Sequence, residues 1–212
     1  MKQFFIAALM GGLATTGFAQ DEKPAEVTTA EVKPDESKTD NGEQVPKPEL
    51  WFPVGETLVF KAYLGLIPVG SSTATSKWIV EKGKTYLVIQ FRSRSNAFLD
   101  KIYPIDDFIE SVIDPETFLP IRFTKRLSEG KYRCDETTVF DHEKLEAVWT
   151  AKQRGKNRTK RYKIDPDTRD LVAFMYNMRR TPVQSGDEKD FRVMSDEKIY
   201  DLKVTAHKKI DK

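Results

Sequence analysis

The chain is predicted to fold as a mainly β protein, an antiparallel meander forming a curved sheet or half-barrel with one packed α-helix. Three observations lead there. From Trp51 onward, short stretches alternate apolar and polar residues at period two, which is the pattern of strands with one buried face. Turn-forming clusters separate these stretches at short, regular intervals, as sequential hairpins require. Only one stretch, 165–180, carries apolar residues at helical spacing.

The elements follow in order. Residues 1–19, MKQFFIAALMGGLATTGFA, read as a signal peptide: Lys2 supplies the positive start, Phe4 to Leu13 the apolar run, and Gly17-Phe18-Ala19 the small-x-small cleavage site. The apolar run is too short to span a bilayer, which takes about 20 residues. No cysteine follows it, so a lipid anchor is not expected, and the mature chain is expected to be exported to a bacterial periplasm or the extracellular side, with no transmembrane segment. Residues 20–49 hold four prolines, nine acids, four lysines and no aromatic residue. Such a stretch has too little apolar surface to offset the entropy of ordering it, and is expected to be a disordered acidic linker.

Residues 50–212 then form a single β-rich domain. The expected strands are TLVFKAYL, TATSKWIV, TYLVIQFRS, DDFIESVID, PIRFTKRL, KYRCDETTVF, LEAVWTAK and RTKRYKI, joined by EKGK, DPETFLP, SEGK, DHEK and QRGKN. NAFLDKIYP (96–104) is a helical turn or an irregular crossing. DPDTRDLVAFMYNMRR (165–180) is the helix, with Asp165 or Asp167 as its cap, Pro166 in the first turn, and Arg179 and Arg180 at the end that favours cations. Leu171, Phe174, Met175 and Met178 fall on one face, which is expected to pack on the sheet. KDFRVMS and KIYDLKVTAHKK close the domain as two more strands.

One stretch imitates a different chemistry. In YLGLIPVGSS (63–72) two glycines stand at the spacing of a phosphate-cradling loop. Such a loop needs a helix after it and a lysine at its end, whereas here a β-branched strand follows and Ser71 replaces the lysine. Pro68 also removes an amide donor. The stretch is therefore read as a bend between two strands.

Three phrases, FPVGETLVFKAYLGLIPVGSSTA, YPIDDFIESVIDPETFLPIRF and DLVAFMYNMRRTPVQSGDEKDFRV with KIYDLKV after it, occur in an order that resembles the bacterial domain-of-unknown-function family numbered 3108. The resemblance covers most of 50–205. It implies an exported or envelope-located β-rich domain, similar in architecture to the curved half-barrels of periplasmic lipoprotein carriers, and it supplies no catalytic residues. Family members usually carry further strands beyond the last one here, which implies a short form or a sheet edge that needs cover.

Charge and chemistry narrow the function. Setting aside Lys2 and the linker's four lysines and nine acids, 50–212 holds 30 basic and 24 acidic residues, a mild excess that favours anionic surfaces. The most distinctive polar feature is KQRGKNRTKRYK, where Lys152, Arg154, Lys156, Arg158, Lys160, Arg161 and Lys163 ride a hairpin with no acid among them. They are the candidate ligand-binding residues, for an envelope lipid, an anionic polymer or an acidic envelope protein; alternatively they solubilise the hairpin and protect an edge. Nucleic acid is not an expected partner, because export separates the two and only Tyr162 interleaves the cations.

No catalytic set, metal site or cofactor is expected. There is no G-x-S-x-G, and His142 and His207 have no ligand partners at metal-binding spacing. Asp106, Asp107 and Glu110 leave open an alternative, a hydrolase acting on envelope polysaccharide or lipid through paired carboxylates. A third alternative is a structural or assembly module that uses an open sheet edge. Cys134, the one cysteine, is expected to be a half-buried strand residue. The aromatic residues are numerous enough either to fill a core or to line a groove.

Overall fold

The structure, a computed structural model, describes residues 27–30, 47–153, 155–180 and 184–207. The expected signal peptide, most of the expected linker and Arg154 lie outside the described residues.

A short strand β1 (Val27–Ala30) runs along the outer edge of β2 (Thr57–Leu64). From β2 the chain makes an eight-strand antiparallel meander: β3 (Ile67–Glu81), β4 (Lys84–Ser95), β5 (Asp106–Ile113), β6 (Pro120–Glu129), β7 (Tyr132–Asp141), β8 (Glu146–Gln153) and β9 (Lys156–Lys163). Each strand pairs with the next, and β9 does not return to the first strands, so the curved sheet stays open. The expected fold class is the observed one. The turns are those the sequence marks. Lys82 and Gly83 take positive φ (53° and 75°) in a two-residue hairpin, the backbone such a turn demands.

A second, small sheet consists of β10 (Arg169–Asp170), parallel to β11 (Glu188–Ser195), which pairs antiparallel with β12 (Lys198–Thr205). The helix α1 lies between the two sheets and spans Leu171–Met178 only, not 165–180. The reason is local. Asp165 and Thr168 close a turn on each other, with Asp165 N–H donating to Thr168 Oγ1 at 2.9 Å, and Arg169–Asp170 is drawn into the small sheet. The cap is therefore Asp170, which accepts the Ala173 N–H at 2.8 Å.

Both faces of this helix are covered. The expected stripe of Leu171, Phe174, Met175 and Met178 packs chiefly on the small sheet, against Val193, Phe191, Leu202 and Val204. The large sheet instead receives Val172, Ala173 and Tyr176, which join Leu87, Ile89, Phe91, Phe123, Phe140 and Trp149 in the main core. Most of the candidate aromatics thus fill a core, and none of those lines an internal groove. Phe118, in the β5–β6 connection, is also buried, with its ring 4.4 Å from Trp51. The N-terminal residues of the domain close over the helix: Trp51 Nε1 donates to the Tyr176 carbonyl at 3.0 Å, and buried Glu56 pairs with Arg179.

The helix covers the half of the inner face nearest the β3–β4, β5–β6 and β7–β8 turns. The opposite, or loop, end carries the β2–β3, β4–β5, β6–β7 and β8–β9 connections. There the inner face is buried but polar, with Ser72, Ser93, Ser95, Asp107 and Glu129. Gly65–Gly70 is not one bend. Gly65 (φ +62°) and Leu66 make the tip, while Ile67 to Gly70 already belong to β3.

Candidate functional site

Side chains on the outer face of the large sheet, near the loop end, converge because the strand register lines them up. Arg92 on β4 lies opposite Phe108 on β5, Phe108 opposite Arg126 on β6, Arg126 opposite Asp135 on β7, and Asp135 opposite Lys152 on β8. Residues directly opposed on antiparallel strands have Cβ atoms about 5 Å apart, so this is a continuous cross-strand row. Together with Asp106, Arg133 and the Gly155 turn, the row lines an open cleft of about 650 Å³.

The cleft has an apolar element set among four cations and two acids. The Arg126 guanidinium lies over the Phe108 ring, 5.7 Å from its centre. Arg92 holds Asp106 in a two-pronged contact, Nε to Oδ1 at 3.0 Å and Nη2 to Oδ2 at 2.8 Å, and Arg94 adds a longer contact at 3.4 Å. These hydrogen bonds, Arg92 foremost, hold the Asp106 carboxyl below its ordinary range, so it is an anion at neutral pH and no proton donor. Arg126 meets Asp135 only at 3.8 Å, and both side chains are exposed. Arg133 donates to the Gly130 and Tyr132 carbonyls, which fixes its head at the rim. Lys152 has no ion-pair partner among the described residues.

The basic hairpin is divided by the sheet. Lys152 enters the cleft. Arg158 and Lys160 point to the other face, where both bind Glu197 Oε2 at 2.7 Å, while Tyr162 Oη donates to the Glu197 carbonyl at 2.7 Å. Arg158 also lies over Trp149, 5.4 Å from its ring centre. These two cations clamp the β11–β12 turn onto the large sheet. Lys156, Arg161 and Lys163 are exposed and unpaired among the described residues, the last two along the open edge strand β9.

The three acids considered for hydrolysis are not brought together. Asp106 and Glu110 share the outer face, but Glu110 accepts from Gln90 Nε2 at 2.6 Å. Asp107 lies on the inner face, where it accepts the Ser128 N–H at 2.8 Å. Burial, only partly offset by that N–H and reinforced by neighbouring Glu129, pushes Asp107 up to about 6. Asp170 reaches about 6 by burial as well, although Ser111 Oγ donates to it at 2.5 Å. Cys134 is buried, and burial with the nearby Glu136 carboxylate pushes its thiol up to about 11, so it is protonated and unreactive at neutral pH.

Strand parity was the signal for Arg92, Arg126 and Arg133, since each is the outward residue near the loop end of its strand. Which strands bring them side by side depends on register, which no single strand displays.

An open antiparallel meander with one helix held between two sheets, bearing a cationic cleft on its outer face, defines a mainly β domain by its architecture. The chain belongs to the family described as Protein of unknown function (DUF3108), whose model matches residues 59–212. No curated protein and no solved structure matches the chain.

Proposed function

We propose that this protein is an exported, non-catalytic β-domain of the bacterial envelope, in the periplasm or outside the cell, that binds an anionic amphiphile or an anionic envelope surface. The observation that carries the reading is the cross-strand row of Arg92, Phe108, Arg126 and Lys152 in the outer-face cleft. A phosphate or carboxylate headgroup needs convergent donors, which Arg126 and Lys152 supply beside the Asp106-bound Arg92, and the chain attached to it needs an apolar surface, which Phe108 offers. A filled core beneath the helix directs the ligand to the outside of the sheet rather than into a barrel interior. The N-terminal sequence supports export. Among the described residues no helix is long and apolar enough to cross a membrane.

The test is titration of the purified protein with dodecyl phosphate below its micelle concentration, followed by calorimetry and by NMR shifts. Saturable binding is expected, with dodecyl maltoside inert at the same concentrations. Replacing Arg126 and Lys152 together by alanine is expected to weaken binding by at least tenfold, because each hydrogen bond to a charged group contributes roughly 1.5–3 kcal/mol. Equal binding of both amphiphiles, or an unaffected double variant, overturns the reading.

A further inference from the structure

The loop end carries a second feature that the cleft does not use. Of the large apolar side chains left exposed among the described residues, most stand on two neighbouring loops there: Leu64 (68%), Leu66 (88%) and Ile67 at the β2–β3 tip, and Phe98 (64%), Ile102 (72%) and Tyr103 in the β4–β5 connection. Scattered exposed apolar residues need no explanation, but a contiguous group of this kind does.

The two loops are held side by side. The Asn96 N–H donates to the Val69 carbonyl at 2.9 Å, and its side-chain amide donates to the Pro68 carbonyl at 2.5 Å. Tyr103 in turn lies over the β6–β7 turn, so closely that a Cβ on Gly130 would sit 2.7 Å from its ring, and the Gly130 N–H donates to the Pro104 carbonyl at 2.7 Å. The apolar tips and the β6–β7 turn are therefore one fixed platform.

Cations surround it. Lys101 stands within the apolar loop, Lys131 in the β6–β7 turn, and Lys152 and Lys156 flank the β8–β9 turn. All four are exposed and without an ion pair among the described residues. The exposed acids nearest the cleft, Asp106 and Asp135, are already faced by Arg92 and Arg126, and Asp100, the one acid within the apolar loop, accepts from Ser95 Oγ, which leaves the four lysines in excess.

We infer that the loop end docks onto an anionic lipid bilayer, with the Leu66 and Ile102 tips entering the headgroup–acyl boundary and the lysines facing lipid phosphates. Projecting apolar tips ringed by uncompensated ammonium groups match a surface that is apolar inside and anionic outside. A second copy of the chain placed head to head would set these lysines against one another. A protein groove would have to be both apolar and anionic at the same depth. The inference extends the envelope reading above from a ligand to the surface that presents it, and rests on it for the exported location. It also places the cleft mouth beside the membrane plane.

The experiment is co-sedimentation of the purified protein with vesicles of phosphatidylcholine, with and without phosphatidylglycerol, run beside the dodecyl phosphate titration and sedimentation velocity. The wild type is expected to bind the phosphatidylglycerol vesicles selectively. Leu66→Ser with Ile102→Ser is expected to lower that partitioning by about tenfold or more while leaving dodecyl phosphate binding unchanged. Lys131→Ala is expected to lower it about fivefold, the effect of one surface cation near an anionic leaflet. Unchanged vesicle binding by the Leu66/Ile102 variant overturns the inference. So does failure of the wild type to prefer anionic vesicles, or a wild-type dimer that this variant converts to a monomer. Vesicle binding without dodecyl phosphate binding would sink the cleft reading and leave the docking inference standing.

Discussion

The two ends of the large sheet's inner face are built from the same eight strands and have opposite interiors. Toward the helix, the successive inward residues of β4 are aliphatic or aromatic: Leu87, Ile89 and Phe91. Continue along the same strand and the inward residues become Ser93 and Ser95. The first half is sealed by α1 and the small sheet. The second is a buried polar layer, in which Ser93 Oγ donates to Ser72 Oγ at 2.9 Å and Ser95 Oγ accepts the Ile105 N–H at 2.7 Å. Hydrophobic burial holds one end closed, and hydrogen bonds between neighbouring strands order the other. At the loop end the large apolar side chains of the β2–β3 and β4–β5 connections stand exposed instead.

Four variants break or sharpen this contrast. Phe118→Ala, which empties a fully buried ring under Trp51, is expected to cost about 4 kcal/mol in urea unfolding, the usual range for a deep Phe truncation. A loss below about 1 kcal/mol would mean that the helix end is not the stabilising half. Arg179→Ala leaves Glu56 buried and without its guanidinium, and the expected loss is about 3 kcal/mol, moderated because Arg179 itself is partly exposed. Glu56→Gln with Arg179→Met should recover much of it.

Asp107→Asn tests the polar half, and its sign is opposite. The folded protein holds the Asp107 proton up to about pH 6, whereas an ordinary aspartate releases it near 3.8. Between those values the folded state binds the proton and the unfolded state does not, so this group's contribution to stability falls as pH rises through the window. Asparagine stays neutral. The variant should therefore be more stable than wild type at pH 7.5, by roughly 2 kcal/mol, with the gap closing toward pH 4 in melts across that range. A constant gap at all pH values would show that Asp107 does not titrate in this window. Smallest is Leu66→Ser, expected to change unfolding free energy by less than about 0.5 kcal/mol, because an exposed tip contributes little to the fold. Its effect belongs to binding.

Much of the architecture was legible because strand alternation and turn chemistry are local. Lys82-Gly83 announces its hairpin within two residues, and each outward parity holds along its strand. The misplaced helix start has an equally local cause: Asp165 followed by Thr168 offers acids and a proline just where a cap is sought, yet their side-chain and backbone groups satisfy each other in a turn. Asp170 was overlooked because nothing near it in sequence shows that Ser111, on a strand of the other sheet, will donate to it. The burial of Phe118 was hidden by its place in a connection. The division of the basic hairpin was hidden too, since alternation separates Arg158 and Lys160 from Arg161 and Lys163, but Glu197 enters only through the fold.

The pairing of Trp51 with Tyr176 and of Glu56 with Arg179 joins stretches more than a hundred residues apart. Strand pairing within the meander is made by successive hairpins, so the sheet can zip up as chain becomes available, while its apolar inner face waits for a cover encoded after it. A nascent chain lacking that cover remains pliable and unfinished. Closure of the core therefore depends on the helix segment 171–178, which lies after the whole meander in the chain.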